Sequence, residues 1–231
     1  MSERILFIET STARCSTALS EGGEIIARRY SETPRAHASL TAVFVQEMLD
    51  EAGWRAADCD AVCVGKGPGS YTGLRVGSST AKGLCFGAGI PLVAVSTLET
   101  LFWQAVRDNL VTPECRYVVP MVDARRMEVY TAVFSPDGKQ LTPTTARIVD
   151  ADSFRAEREA GPVLFLGDGA AKCAETLAAP GASFVACEPD ASAMLVPACA
   201  ALREGRFEDV AYFEPFYLKE FMTTVSKKKL F

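Results

Sequence analysis

Two acidic residues stand where an apolar run ends, a position from which a carboxylate could hold a metal-bound phosphate. Glu9 ends the run RILFIE and is followed by Thr10 and Ser11, while Asp123 ends the run YVVPMVD. Carboxylates and small hydroxyls suit a magnesium ion and the phosphate tail of a nucleotide. Acids at strand ends are also ordinary turn residues, so the residues alone leave both interpretations open.

A glycine-rich stretch, GKGPGSYTGLRVG at residues 65–77, lies between a predicted strand and a predicted helix, as phosphate-binding loops do. It lacks the P-loop pattern, and Ser70 breaks the G-x-G-x-x-G pattern of dinucleotide-binding loops. These differences favour close packing of small residues over anion binding. The helix start at Gly69 and Ser70 remains a candidate anion site, because its first N–H groups have no helical partner. The turn GDGA, with Gly167 and Gly169, offers the same two interpretations, and an ordinary strand-to-helix turn is favoured.

Composition argues against a metal site and against a general nucleic-acid surface. His37 is the only histidine, and none of the eight cysteines forms a C-x-x-C pair, which predicts buried thiols in a reducing compartment. The 24 basic and 29 acidic residues give a net charge of −5, so any RNA contact must be local or shared with a partner. Apolar runs are too short or too interrupted for a signal peptide or a membrane span, which predicts a cytoplasmic protein.

The elements that must position these residues follow one order twice along the chain. Three predicted strands, a helix, a strand, a helix, a strand and a helix fill the first half, and the same series starts again near residue 117. Each half should therefore form a mixed sheet with helices on its faces. The pattern predicts an α/β protein with the actin-like (Hsp70-like) fold, built from two ribonuclease-H-like halves at residues 1–105 and 106–231.

Four segments together resemble the TsaB family, also called YeaZ. They are the glycine-rich stretch, ILFIETSTARCSTALS at residues 5–20, TPRAHASLTAVFVQEML at residues 33–49, and PMVDARRMEVYTAVF at residues 120–134. The resemblance covers nearly the whole chain, and the glycine-rich stretch with its flanks is the most specific part. The family's actin-like fold agrees with the two-half pattern.

The resemblance implies a role in threonylcarbamoylation of the adenosine 3′ of the anticodon in tRNAs that read ANN codons. It implies a non-catalytic subunit that binds the transferase TsaD, with the ATPase TsaE joining a ternary complex. The transferase carries H-x-x-x-H as metal ligands, whereas the matching positions here are His37 and Thr41. Because a threonine hydroxyl is a poor ligand for iron or zinc, we expect neither a metal site nor catalytic residues, and no peptidase activity.

A scaffold of this kind should dock through two helices near residues 36–52 and 73–87. The second predicted helix carries many small side chains, which allow another backbone to approach closely. The same face should form a two-fold homodimer when the chain is alone. No cofactor is required, ATP or ADP belongs to the complex, and tRNA is reached only through the complex. The predicted interface residues are Leu40, Phe44, Leu74, Val76, Gly77, Ser78 and Ala81.

The alternative is an ATP-dependent enzyme or a nucleotide-responsive switch that acts on its own. Glu9 is one methylene longer than the aspartate of many actin-like proteins, which counts weakly against a metal-phosphate site there. A ribonuclease-H-like nuclease would need further acids around two metals, which the sequence does not supply. The candidate nucleotide contacts are Glu9, Thr10, Ser11, Gly69, Ser70, Asp123, Gly167 and Gly169.

The C-terminal stretch from residue 213 combines aromatic residues with a basic end. Phe216, Tyr217, Leu218 and Phe221 should pack a last segment on the body. The three lysines at 227–229 have two interpretations, a solvated end or a contact with RNA or a partner, and the solvated end is favoured.

Overall fold

The structure is a computed structural model that describes residues 2–33 and 35–219. The first half contains five strands and three helices. In chain order they are β1 Arg4–Glu9, β2 Cys15–Glu21, β3 Glu24–Ser31, α1 His37–Ala52, a 3-10 helix Ala56–Asp58, β4 Ala61–Gly65, α2 Tyr71–Ala88, β5 Leu92–Val95 and α3 Thr97–Arg107.

The second half repeats this series of elements with shorter helices. In chain order they are β6 Tyr117–Asp123, β7 Glu128–Thr131, β8 Thr145–Ile148, α4 Arg155–Ala160, β9 Val163–Leu166, α5 Ala170–Leu177, β10 Ala182–Val185, a 3-10 helix Ala191–Met194 and α6 Leu195–Arg203. The sequence-based order of elements is confirmed. The last helix of the series, α6, is preceded by a 3-10 turn.

Each half forms one five-stranded mixed sheet with the same internal order. The first sheet runs β3-β2-β1-β4-β5, and the second runs β8-β7-β6-β9-β10. In both, the first strand is antiparallel to the second and parallel to the fourth. This repeated topology confirms the two-lobed actin-like fold.

The first strand of each sheet is apolar throughout because both of its faces are covered. Leu6 and Ile8 face the side of α1 and α2, whereas Ile5 and Phe7 face α6. Successive side chains of a strand point to opposite faces, so full coverage requires apolar residues at every position. The same reason explains the continuous apolar run of β6, whose two faces contribute to separate clusters.

The helices cross the predicted boundary between the halves. Helix α6 and the 3-10 helix before it lie after the second sheet in sequence but pack on the first sheet. Helix α3 begins before residue 106 and ends at Arg107, yet it packs on the second sheet. The boundary at residues 105 and 106 therefore lies between the two sheets, but most of α3 and all of α6 pack on the sheet from the opposite side of it.

None of the helices within the described ranges is long and apolar enough to cross a membrane.

The crossing helix can be tested at Met194, whose side chain is fully buried on the first sheet beside Cys63. We expect Met194→Ala to lower the free energy of unfolding by about 2–5 kcal/mol, because the site is sealed and a cavity would remain. Val196→Ala, on the exposed side of α6, should change it by only about 0.5 kcal/mol. Urea unfolding measures both, and equal small effects would contradict the described packing of this segment.

Candidate functional site

The glycine-rich loop closes directly on the turn that follows β1. The Ser70 N–H donates to the Ser11 carbonyl at 2.6 Å, and the Thr10 hydroxyl donates to the Gly73 carbonyl at 2.8 Å. The Ser70 side chain also caps α2, since its Oγ accepts the Gly73 N–H at 3.3 Å. A serine at this position is therefore used for helix capping, as its type predicts.

The glycines of this loop are required by close approach of two backbones. A Cβ atom at Gly69 would overlap the Ser11 carbonyl, and one at Gly73 would overlap the Thr10 carbonyl. A Cβ at Gly77 would overlap the Thr10 hydroxyl. Real Cβ atoms do not occupy such positions, so the small residues serve packing within the chain, as the motif comparison favoured.

The first acidic turn is enclosed beneath this loop. Glu9, Thr10 and Ser11 are fully buried, and Gly65 lies directly against the Glu9 carboxylate. Glu9 Oε1 accepts the Ser11 N–H at 2.7 Å, while burial raises the pKa of the Glu9 carboxyl. These three candidate nucleotide contacts are therefore buried beneath the glycine-rich loop and are not open to solvent.

Three oxygens under the loop have no hydrogen-bond partner among the described residues. They are Glu9 Oε2, Ser11 Oγ and Thr12 Oγ1. Buried polar atoms without hydrogen-bond partners destabilise the folded state, so this turn lowers the free energy of unfolding.

The second acidic turn is built similarly but stays open to solvent. The Gly169 N–H donates to the Met121 carbonyl at 3.0 Å, and Gly167 has a φ of 121° that a side chain rarely adopts. Asp123 is exposed and forms an ion pair with Lys172 at 2.6 Å. Gly167 and Gly169 thus pack the start of α5 on the end of β6. Of the candidate nucleotide contacts in this half, the two glycines are buried and Asp123 is exposed.

Asp168, which is not among the candidate residues predicted from the sequence, lies beside Asp123. Its Oδ1 accepts the backbone N–H of Asp123 at 2.9 Å, and burial raises the pKa of Asp168 to about 7, with the charges of Glu188 and Asp123 acting in the same direction. In the sequence, Asp168 lies between the two glycines of GDGA. The glycine spacing predicts a turn of the backbone but does not indicate that the carboxylate is buried.

His37 is engaged by the backbone at the start of α1. Its Nε2 lies 2.9 Å from the Thr12 carbonyl oxygen, and the Thr41 hydroxyl donates to the His37 carbonyl at 2.7 Å. Thr41 is buried and also contacts the Cys15 thiol. Within residues 2–33 and 35–219, no three His, Cys, Asp or Glu side chains come together as metal ligands would.

The structure revises the predicted docking face on α2. Leu74, Gly77, Ser78 and Ala81 are buried, with Ala81 in the cluster that joins α2 to the first sheet. Their periodic spacing marks the inward face of the helix, so these four predicted interface residues lie on the buried side of α2 and are not on its surface.

The outward side of the two helices carries other residues. Leu40, Phe44 and Val76 are half-buried, whereas the side chains of Val43 and Phe86 are 46% and 86% exposed. Between α1 and α2 lies a groove of about 370 Å³, which Ala42, Gln46, Leu49, Thr80 and Leu84 line together with other residues. We call this groove and its rims the α1–α2 face.

Comparison with known proteins decides the family. A family model described as TsaD, tRNA N6-adenosine threonylcarbamoyltransferase, matches residues 28–224. The Escherichia coli K12 protein named tRNA threonylcarbamoyladenosine biosynthesis protein TsaB is 33% identical over 98% of each chain. The chain belongs to the TsaB family. A Bacillus subtilis protein of the same name is 34% identical over 71% of this TsaB-family chain and 70% of its own.

Solved structures agree with this membership. YeaZ from Pseudomonas aeruginosa superposes with a TM-score of 0.80 at 29% identity, covering 94% of this TsaB-family chain and all of its own. A second structure, described as an uncharacterised protein with similarity to peptidase YeaZ from Pseudomonas aeruginosa, gives a TM-score of 0.82 at 28% identity with the same coverage. The two-lobed fold is therefore shared within the family.

Two glycines of α2 provide a matched test of loop closure in this TsaB-family chain. We expect Gly73→Ala to lower the free energy of unfolding by about 1–3 kcal/mol or more, because its Cβ would overlap rigid backbone. Gly83→Ala, which has no atom within 4 Å of its Cβ, should raise it by about 0.5–1 kcal/mol through helix propensity. Urea unfolding of both variants measures the difference, and an equal response at the two positions would contradict the close contact.

The raised pKa of Asp168 predicts a dependence of stability on pH. The folded pKa of about 7 lies above the ordinary value of 3.8, so the folded state prefers the neutral acid. Its contribution is complete below about pH 4 and is lost as the pH rises through 7. We expect the unfolding free energy to fall less between pH 5 and pH 8 in Asp168→Asn than in the natural chain.

The control for this experiment is Asp152→Asn at an exposed aspartate. Urea unfolding at both pH values should show the natural pH dependence in the control. If Asp168→Asn also keeps the natural pH dependence, Asp168 is ionised in the folded protein and its described burial is incorrect.

Proposed function

We propose that the chain is a non-catalytic scaffold subunit that binds and supports the TsaD transferase during tRNA threonylcarbamoylation. The modified base would be the adenosine 3′ of the anticodon in tRNAs that read ANN codons. Family membership supports the pathway, because the relatives are named for threonylcarbamoyladenosine biosynthesis. The observation that carries the scaffold role is the closure of the glycine loop on Glu9, Thr10 and Ser11.

The cysteines support a non-catalytic role. Burial raises the pKa of the Cys59, Cys85 and Cys187 thiols to about 11, and that of Cys63 well above its ordinary value. A thiol acts as a nucleophile only as the thiolate, so these groups are poor nucleophiles near neutral pH. With His37 held by the Thr12 carbonyl, no histidine is left to activate a hydroxyl or a thiol, which argues against a peptidase.

The α1–α2 face supplies a surface on which a partner helix could lie. Ala42, Leu49 and Leu84 give the groove an apolar lining, and Gly83 on α2 has open space above its backbone. An apolar side chain on a partner helix can enter the groove between the two helices, as in other helix-in-groove contacts. The glycine at position 83 lets the partner backbone approach closely, which is the packing reason that a glycine inside a helix requires.

The proposed assembly follows from this surface. TsaD would occupy the α1–α2 face in a heterodimer, and TsaE would join the resulting pair in a ternary complex in the cytoplasm. In the absence of TsaD, a second copy of the chain would use the same face, since a two-fold contact needs only one self-complementary patch. ATP or ADP would belong to the complex, with no cofactor required by this chain.

The unpartnered oxygens below the glycine loop favour a second candidate, a nucleotide-responsive switch. Opening the loop would expose Glu9 Oε2 and Ser11 Oγ to a metal-bound phosphate. Calorimetry of the purified chain with magnesium and ATP separates the two candidates. Tight binding or turnover by the chain alone would favour the switch, and the scaffold predicts neither.

The docking surface is tested with one added charge in the groove. Ala42 is exposed and lines the groove, so Ala42→Arg should weaken capture of TsaD at least tenfold by placing a bulky cation in a helix contact. Ala156→Arg, at an exposed position on α4, is the matched control and should have no effect. Co-purification followed by a tRNA modification assay reads out both steps. Full capture and full modification with Ala42→Arg would show that the partner binds elsewhere.

A further inference from the structure

Aromatic rings and cations lie beside one another along a line that joins the two halves of the molecule. The line starts on the first turn of α2, follows the C-terminal segment and ends at the β6–β7 turn. We call it the aromatic–cation strip, and its members are Arg75, Tyr71, Tyr217, Lys219, Tyr130 and Arg125.

The middle of the aromatic–cation strip is held in place by backbone hydrogen bonds of the C-terminal segment. The Glu208 N–H donates to the Leu92 carbonyl at 2.8 Å, so the segment starts along the edge strand β5. Lys82 Nζ donates to the Ala211 and Phe213 carbonyls, which fixes the segment beside α2. The Phe216 N–H then donates to a carbonyl of the glycine-rich loop, and Tyr217 follows at a defined position.

Ring contacts continue the aromatic–cation strip from one half to the other. The guanidinium carbon of Arg75 lies 4.4 Å from the centre of the Tyr71 ring, and the Tyr71 and Tyr217 ring centres are 4.8 Å apart. Lys219 Nζ lies 5.8 Å from the centre of the Tyr130 ring on β7. Tyr217 is about one-third exposed, so a ring face is accessible beside a cation.

The arginines of the strip are not neutralised within the described part of the chain. Lys219 is paired with Glu128, but Arg75, Arg125 and the neighbouring Arg126 are exposed and have no carboxylate within 4 Å among the described residues. Both Arg125 and Arg126 adopt positive φ angles in the β6–β7 turn. Arg75 lies over the Tyr71 ring, and Arg125 and Arg126 lie in the turn before β7, the strand that carries Tyr130, in a chain whose net charge is −5.

We propose that the aromatic–cation strip binds a single-stranded RNA segment. Every base has a face that can stack on a tyrosine, and guanidinium groups bind phosphate oxygens in bidentate fashion, so neighbouring rings and arginines suit the bases and phosphates of an unpaired strand. A docking surface for protein would be mainly apolar and poor in charge at its centre, whereas this strip carries a cation beside a tyrosine at both ends. The proposal rests on the proposed function for the identity of the RNA, an unpaired loop of the tRNA that is modified.

The proposal is tested by fluorescence anisotropy with the full chain and a labelled, unstructured 12-nucleotide RNA. Arg75→Gln, Arg125→Gln and Arg126→Gln together should weaken binding at least tenfold and reduce the slope of log affinity against log salt by about 2, since each phosphate contact on a single strand contributes about 0.7. Arg155→Gln, Arg203→Gln and Arg206→Gln together, at three other exposed arginines, are the charge-matched control and should change neither quantity.

The rings are tested separately from the charges. Tyr217→Leu keeps apolar volume but removes the stacking face, so binding should weaken about tenfold while the salt slope stays as in the natural chain. Unfolding curves check that each variant is folded, and the arginine variants provide the result if Tyr217→Leu is not. No RNA binding by the natural chain at 50 mM salt, or equal binding by the strip and control variants, would overturn the proposal.

Capture of TsaD distinguishes this proposal from the scaffold role. If the strip variants keep full RNA affinity and the natural chain captures TsaD, the strip proposal fails and the scaffold role is supported. If the strip variants lose RNA affinity while the natural chain captures no TsaD, the scaffold fails and the strip stands. Loss of TsaD capture without loss of RNA affinity in the strip variants would make the strip a protein surface and would contradict the proposal.

Discussion

The close contact between the glycine-rich loop and the turn after β1 is the constraint on which the rest of the structure depends. Two backbones meet there at distances that only glycine allows at positions 69 and 73. The contact fixes where α2 begins, and the position of α2 relative to α1 defines the groove proposed for a partner. The same contact buries Glu9, so one close approach of two backbones both positions α2 and encloses the acidic turn.

The two halves are also tied together in a way that suits a rigid support. Each sheet borrows a helix from beyond the predicted boundary, and the C-terminal segment runs from the β5 edge over the glycine-rich loop to Glu128 in the second half. Asp190 adds a further link, because this buried carboxylate lies within 4 Å of Arg14, Arg28 and Arg107 from three different elements. A protein that works by holding a partner needs such stiffness, whereas a cleft that opens and closes would need fewer connections between its halves.

Much of the fold follows from local patterns, because strands covered on both faces must be apolar throughout and helices must place apolar residues three and four apart. β1, β4 and β6 were predictable for the first reason and α1 for the second. The repeated order of elements then predicts two similar sheets. What local patterns do not contain is which sheet a helix packs on, so the exchange of α3 and α6 could not be predicted.

The candidate site was only partly predictable for a related reason. Small residues at helical spacing mark a face that approaches another backbone, but spacing does not tell whether that backbone belongs to the same chain. Gly73, Gly77 and Ala81 approach their own β1 turn and sheet, whereas the exposed Phe86 lies outside that spacing. The pairing of Asp168 with the Asp123 backbone likewise joins residues 45 positions apart, which no local motif shows.

Hydrogen exchange at the Ser70 amide tests loop closure most directly, because this N–H donates to the Ser11 carbonyl across the contact. The account predicts that the Ser70 amide of the isolated chain exchanges slowly, at a rate near that of global unfolding, and that magnesium with ATP does not change this rate. Fast exchange that becomes slow when magnesium and ATP are added would show a loop that opens for a nucleotide and would contradict the account.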